Sequence, residues 1–105
     1  MVDSDTAGFI AECFWPAVTE ADLPRLDRRA RCAAADLRRR GAPVRYLGSI
    51  LMRADEVVLC LYEGREDAVL RAARRARVPF ERIVAGTHSF PPFADHLGGD
   101  DDAST

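Results

Sequence analysis

The sequence has no lysine at all; its fifteen basic residues are arginines, and every one lies between Arg25 and Arg82. It has only two histidines, His88 and His96, both late in the chain. Three cysteines, Cys13, Cys32 and Cys60, are widely spaced, odd in number and without a C-x-x-C pair. That excludes a fully paired disulfide framework and the usual thiolate motif for copper or zinc. No apolar run approaches the roughly 20 residues that span a bilayer, and the N-terminus has no signal-peptide pattern. These absences predict a soluble cytoplasmic protein with reduced thiols and no membrane partner. The stretch after the first apolar segment reads "PAVT", so there is neither a copper-chaperone cysteine loop nor a glycine-rich, arginine-bearing anion loop.

What is present suits one domain. In 105 residues, 48% are hydrophobic and 30% charged, enough for a core and a well-solvated surface. The net charge of -2 conceals a segregation. Asp3, Asp5, Asp95, Asp100, Asp101 and Asp102 lie near the ends, leaving fifteen arginines against eleven carboxylates in the centre. A central balance of +4 is too weak to indicate nucleic acid. The clusters "DLRRRG" and "RAARRAR" read as solvated helix faces, with the cations suited to helix C-termini. Residues 1–7 and 91–105 have the composition of solvated ends, and 8–90 is the expected domain.

Within the domain the pattern predicts β-α-β-β-α-β. Phe9 to Trp15 is a strand stopped by Pro16. Thr19 followed by Asp22 marks a helix start that runs to about Arg40, with Leu23, Leu26, Ala30, Ala33 and Leu37 on one stripe. Pro24 is tolerated in the first turn, and Gly41 suits the position after the last turn. Val44 to Met52 and Val57 to Glu63 are strands around the turn "RADE". A second helix covers about Arg65 to Arg77, and a fourth strand about Arg82 to Ser89. The order is that of the α+β ferredoxin-like fold, a four-stranded antiparallel sheet with two helices on one face.

The third strand, "VVLCLY", does not alternate. Two helices cover one face of such a sheet, so six apolar residues in a row require a second cover. A second copy is the economical one, giving a homodimer in which two sheets face each other as a dimeric α+β barrel. A return of "FPPFADHL" over the sheet, with Phe90, Phe93 and Leu97, is the competing cover. Parity assigns the aliphatic set Val57, Leu59 and Leu61 to the helices and Val58, Cys60 and Tyr62 to the barrel side. Glu12, with Ile10 and Phe14, is placed on the barrel side too. For the second strand, Tyr46, Gly48 and Ile50 form one alternating set and Leu47, Ser49 and Leu51 the other.

Four blocks, "FWPAVTEADL", "YLGSIL", "ADEVVLCLYEG" and "ARVPFERIV", resemble in that order a family of small bacterial ferredoxin-like proteins of unknown function that includes a nickel-binding member. The resemblance covers about Phe9 to Val84. It implies the fold and dimerisation and raises a divalent metal such as nickel as a cofactor, while no metal ligand carries over. Nickel favours imidazole and oxygen donors, and this chain is poor in histidine.

Candidate ligand-binding residues are Glu12, Phe14, Tyr46, Ser49, Cys60, Tyr62 and His88. A carboxylate in an apolar strand is paired, protonated or exposed. Glu12 is therefore either a cavity group or one half of an ion pair with arginine at the dimer seam. Tyr46, Tyr62 and Ser49 offer hydroxyls, and His88 an acid–base group at a cavity mouth. Cys60 reads mainly as a buried small hydrophobe. No complete catalytic constellation is evident. The expected function is a homodimeric binding module for a small ligand or a divalent metal ion. The alternative is a cofactor-independent barrel enzyme, of cyclase, isomerase or monooxygenase type, using Glu12 as base and Tyr62 as donor.

Overall fold

Strand β1 (Ala7–Phe14) is stopped by Pro16, and the chain then makes a single 3-10 turn at Glu20–Asp22 before helix α1 (Leu23–Arg39). The computed structural model describes residues 7–86. The Asp22 carboxylate accepts hydrogen bonds from the Thr19 backbone N–H (2.8 Å) and hydroxyl (3.2 Å), which fixes the entry to α1. Leu26, Ala30, Ala33, Ala34 and Leu37 form the buried stripe of α1. Strand β2 (Val44–Met52), a short turn at Arg53–Asp55, strand β3 (Val57–Gly64), helix α2 (Glu66–Arg75) and strand β4 (Arg82–Gly86) follow. The part of the expected fourth strand from residue 87 to 89, and the tail segment "FPPFADHL", lie outside the described residues.

The sheet order is β2-β3-β1-β4, all neighbours antiparallel, with the two most apolar strands in the centre. The fold is the α+β ferredoxin-like arrangement that the element order predicts.

Register decides the faces. Phe9, Ala11 and Cys13 of β1 pair with Tyr62, Cys60 and Val58 of β3. All six are buried under the helices. The opposite face carries Ile10, Glu12 and Phe14 opposite Leu61, Leu59 and Val57. The expected assignment of β3 is thus inverted: Val58, Cys60 and Tyr62 face the helices, and Val57, Leu59 and Leu61 face away. Volume is the physical reason. The helices present mostly alanine to the sheet, namely Ala30, Ala33, Ala34, Ala68, Ala72 and Ala73. Such smooth helices leave space that the aromatic rings of Phe9, Tyr46 and Tyr62 fill, restoring close packing.

Strand β2 follows neither alternating set. Its pairing with β3 runs Tyr46↔Tyr62 and then Gly48↔Leu61, skipping Leu47. This bulge moves Ser49 and Leu51 onto the same face as Tyr46 and sends Ile50 and Met52 to the other. Gly48 has φ +139°, a backbone conformation that a Cβ would strain, so glycine allows the bulge there.

Candidate functional site

The seven predicted ligand-binding residues separate into three groups. Glu12 and Phe14 lie on the sheet face away from the helices. Tyr46, Ser49, Cys60 and Tyr62 lie on the helix-covered face. His88 lies outside the described residues. One cavity on the open face therefore cannot gather the two sets, because residues of opposite strand parity are separated by the sheet itself. The pairing of Glu12 with Tyr62 as base and donor fails for the same reason.

On the open face, Phe14 is 51% exposed, Ile50 48%, Met52 41% and Leu47 37%. Between them Ile10, Val57, Leu59, Leu61 and Val84 are half-buried. The charged side chains of this face are ion-paired across strands. Arg82 Nε donates to Glu12 Oε1 at 2.6 Å, and Arg45 Nε lies 3.8 Å from Glu63 Oε1. Glu12 beside it holds the Arg82 guanidinium above its ordinary pKa. At the Phe14 end a depression of about 250 Å³ is lined by Glu12, Cys13, Phe14, Val57, Glu81 and Arg82. It offers an aromatic wall, a carboxylate and a guanidinium, which suits a small ligand with both apolar and polar parts.

The helix-covered face holds a different polar cluster. Asp27 of α1 accepts from the Tyr46 hydroxyl at 2.5 Å and from the Ser49 hydroxyl at 2.8 Å, both on its Oδ1. The Arg31 guanidinium lies 5.6 Å from the centre of the Tyr46 ring, a cation–π contact. Asp27 is the residue missed in the sequence. In sequence it is one acidic position among the arginines of α1, and only the α1–β2 contact reveals its partners. Burial, then the Asp27 hydrogen bond, pushes the Tyr46 phenol well above its ordinary pKa. Burial does the same to Tyr62, whose hydroxyl has no hydrogen-bond partner among the described residues. The two rings meet edge to face, 5.1 Å apart. Cys13 and Cys60 are fully enclosed beside them, and the neighbouring Cys60 thiol together with burial raises the Cys13 thiol. This cluster fastens α1 to the bulged edge strand and leaves no opening for a ligand at Cys60 or Tyr62.

Among the described residues no group of three or more histidine, cysteine, aspartate or glutamate side chains converges as a metal site. The open-face depression has two carboxylates, Glu12 and Glu81, and Arg82 occupies an oxygen of the first. That donor set does not fit nickel, which prefers imidazole, and a guanidinium is a poor neighbour for a cation. Among the described residues, too, no helix is long and apolar enough to cross a membrane.

The chain matches no family model and no curated protein. Its fold is similar to that of a solved protein, SCO4226 from Streptomyces coelicolor A3(2), with a TM-score of 0.64 and 21% sequence identity, over 80% of this chain and 100% of that one. At that identity the likeness carries the ferredoxin-like fold alone.

Proposed function

We propose that this chain is a homodimeric binding module. The open sheet face closes on that of a second copy as an α+β barrel, and the depression beside Glu12, Phe14 and Arg82 holds a small organic ligand. The observation that carries the reading is the open face itself. Four large apolar side chains are exposed on it next to five half-buried ones. Monomers rarely leave an apolar patch beyond a few hundred Å² in water. The charges on this face oppose burial less than lone charges would, because Glu12 with Arg82 and Glu63 with Arg45 are already paired. A paired charge costs far less to desolvate than a lone one.

Light scattering of the wild type checks the assembly, with a dimer expected and Ile50→Asp reduced to a monomer. A monomeric wild type overturns the reading. The ligand is sought by thermal shift with a small-metabolite panel, with nickel, copper and zinc titrations by calorimetry alongside. A metabolite whose shift is lost in Glu12→Gln supports the Glu12 depression. Tight nickel binding that survives Glu12→Gln overturns that location and moves the site to residues outside those described.

A further inference from the structure

The helix layer, on the side away from the proposed dimer face, is a concentrated cationic surface. Seven arginines fall between Arg25 and Arg40, in α1 and its C-terminal cap, and four between Arg71 and Arg77 around the end of α2. All eleven are exposed. Only two carboxylates share these stretches. Asp27 is taken by Tyr46 and Ser49, and Asp36 is shared among Arg39, Arg40 and Arg75. A groove of about 520 Å³ runs between the helices, bordered by Arg29, Asp36, Arg75 and Arg77. A surface of this kind attracts an anionic partner.

We propose that this arginine face is the docking surface for an acidic polypeptide segment, and that the segment is this chain's own C-terminal run, Asp95 with Asp100, Asp101 and Asp102. Three observations carry it. The chain has no cation after Arg82 other than its two histidines, so everything beyond β4 is complementary in sign. Topology brings the two together as well. Val44, Gly64 and Ala7 form one row at an end of the sheet, with Gly8 paired to Gly86 beside it. The chain leaves β4 at that row, and α1 ends there too, with Arg38 Nη1 donating to the Val44 carbonyl at 3.1 Å. Three strand spacings, about 14 Å, separate Gly86 from Val44. The nine residues to Asp95 reach about 30 Å when extended, and the fourteen to Asp100 about 45 Å. Finally, α1 and α2 contain no aromatic residue. The stacking platform that single-stranded nucleic acid requires is therefore missing from this face. Tethering raises the local concentration of the acidic run on the arginine face, so several weak pairs act together.

Docking of this kind is electrostatic and therefore sensitive to salt. The test places a nitroxide on the end of the full-length chain through T105C, in a C32S background, since Cys13 and Cys60 are enclosed and Cys32 is the exposed thiol. Amide spectra are compared at about 20 mM and about 500 mM salt, either side of the screening range. The expected result is broadening confined to residues 25–40 and 71–77 at low salt. It disappears at high salt, and also in D95N/D100N/D101N/D102N. Broadening that falls on Ile50, Leu59 and Leu61 instead, or that ignores both salt and the neutralised aspartates, overturns the proposal. Mixing spin-labelled chains with isotope-labelled, unlabelled-tail chains separates the sources. Equal broadening in the mixture overturns the assignment to the same chain and makes a second copy the donor of the segment.

Discussion

The two faces of this sheet are built from the same four strands and solve burial in opposite ways. On the helix side, Val58, Cys60, Tyr62, Ala11 and Cys13 are fully enclosed, and the Tyr46 and Ser49 hydroxyls are drawn into one small cluster around Asp27. On the other side, apolar side chains of similar size stay in contact with water, and the charges are paired across neighbouring strands. The difference shows that a continuous apolar strand does not say how its two faces are covered. One face is completed within the chain by alanine-rich helices. The other is left with the composition of an interface core and a few neutralised charges, as surfaces that bury against a partner are.

The largest separation of the two sides comes from substituting one residue on each. Leu26→Ala, beneath α1, is expected to cost about 3 kcal/mol in chemical denaturation, the transfer and cavity terms acting together. Ile50→Asp, at a half-exposed site, is expected to change the stability of the isolated chain by about 1 kcal/mol or less. Its main effect is expected on the proposed association instead. If the two variants lose equal stability as monomers, the contrast between the faces is wrong.

A finer break lies within the helix-covered face, between its two tyrosines. Tyr46→Phe removes a hydrogen bond to a carboxylate and is expected to destabilise by about 1–2 kcal/mol. Tyr62→Phe removes a buried hydroxyl without a partner among the described residues, and is expected to be neutral or stabilising by up to about 1 kcal/mol. Alkaline titration sharpens the pair. Both phenols are raised in the folded state. Their contribution is fully present below the unfolded tyrosine pKa of about 10, and falls away as pH rises above it, because the unfolded chain then releases protons that the folded chain retains. Each tyrosine adds about 1.4 kcal/mol of lost stability per pH unit in that window. Each Phe variant should flatten the slope of unfolding free energy against pH by that amount.

The smallest effect compares the two helix ends. Both close with the same reciprocal hydrogen bonds: Ala42 N–H to Leu37 and Gly41 N–H to Arg38 after α1, Val78 N–H to Ala73 and Arg77 N–H to Arg74 after α2. The residue in the left-handed position is Gly41 in the first, with φ +93°, and Arg77 in the second, with φ +59°. Arg77→Gly is therefore expected to stabilise by about 0.5–1 kcal/mol, and Gly41→Ala to destabilise by a similar amount, both read as shifts in thermal midpoint. An Arg77→Gly variant that loses stability would show that the arginine's charge outweighs its backbone strain.

The sequence alone determined the order and nearly the limits of the elements, because the signals are local. Thr19 with Asp22, Gly41 after the arginine run, Pro16 after β1 and the 3.6-residue stripe of Leu26, Ala30, Ala33 and Leu37 each act within a few residues. Glu12 on the open face was also legible, since a carboxylate cannot be enclosed under alanine-rich helices without a partner. Only the tertiary structure decided which face each residue of β2 and β3 occupies. A non-alternating strand has no parity signal of its own, so "VVLCLY" takes its orientation from the volume left by the helices. The bulge at Leu47 and Gly48 then reverses parity within β2, which any strictly alternating reading misses. The Asp27 cluster was hidden for the same reason. Its three members are 19 and 22 residues apart in sequence and meet only when α1 is laid across the bulged strand.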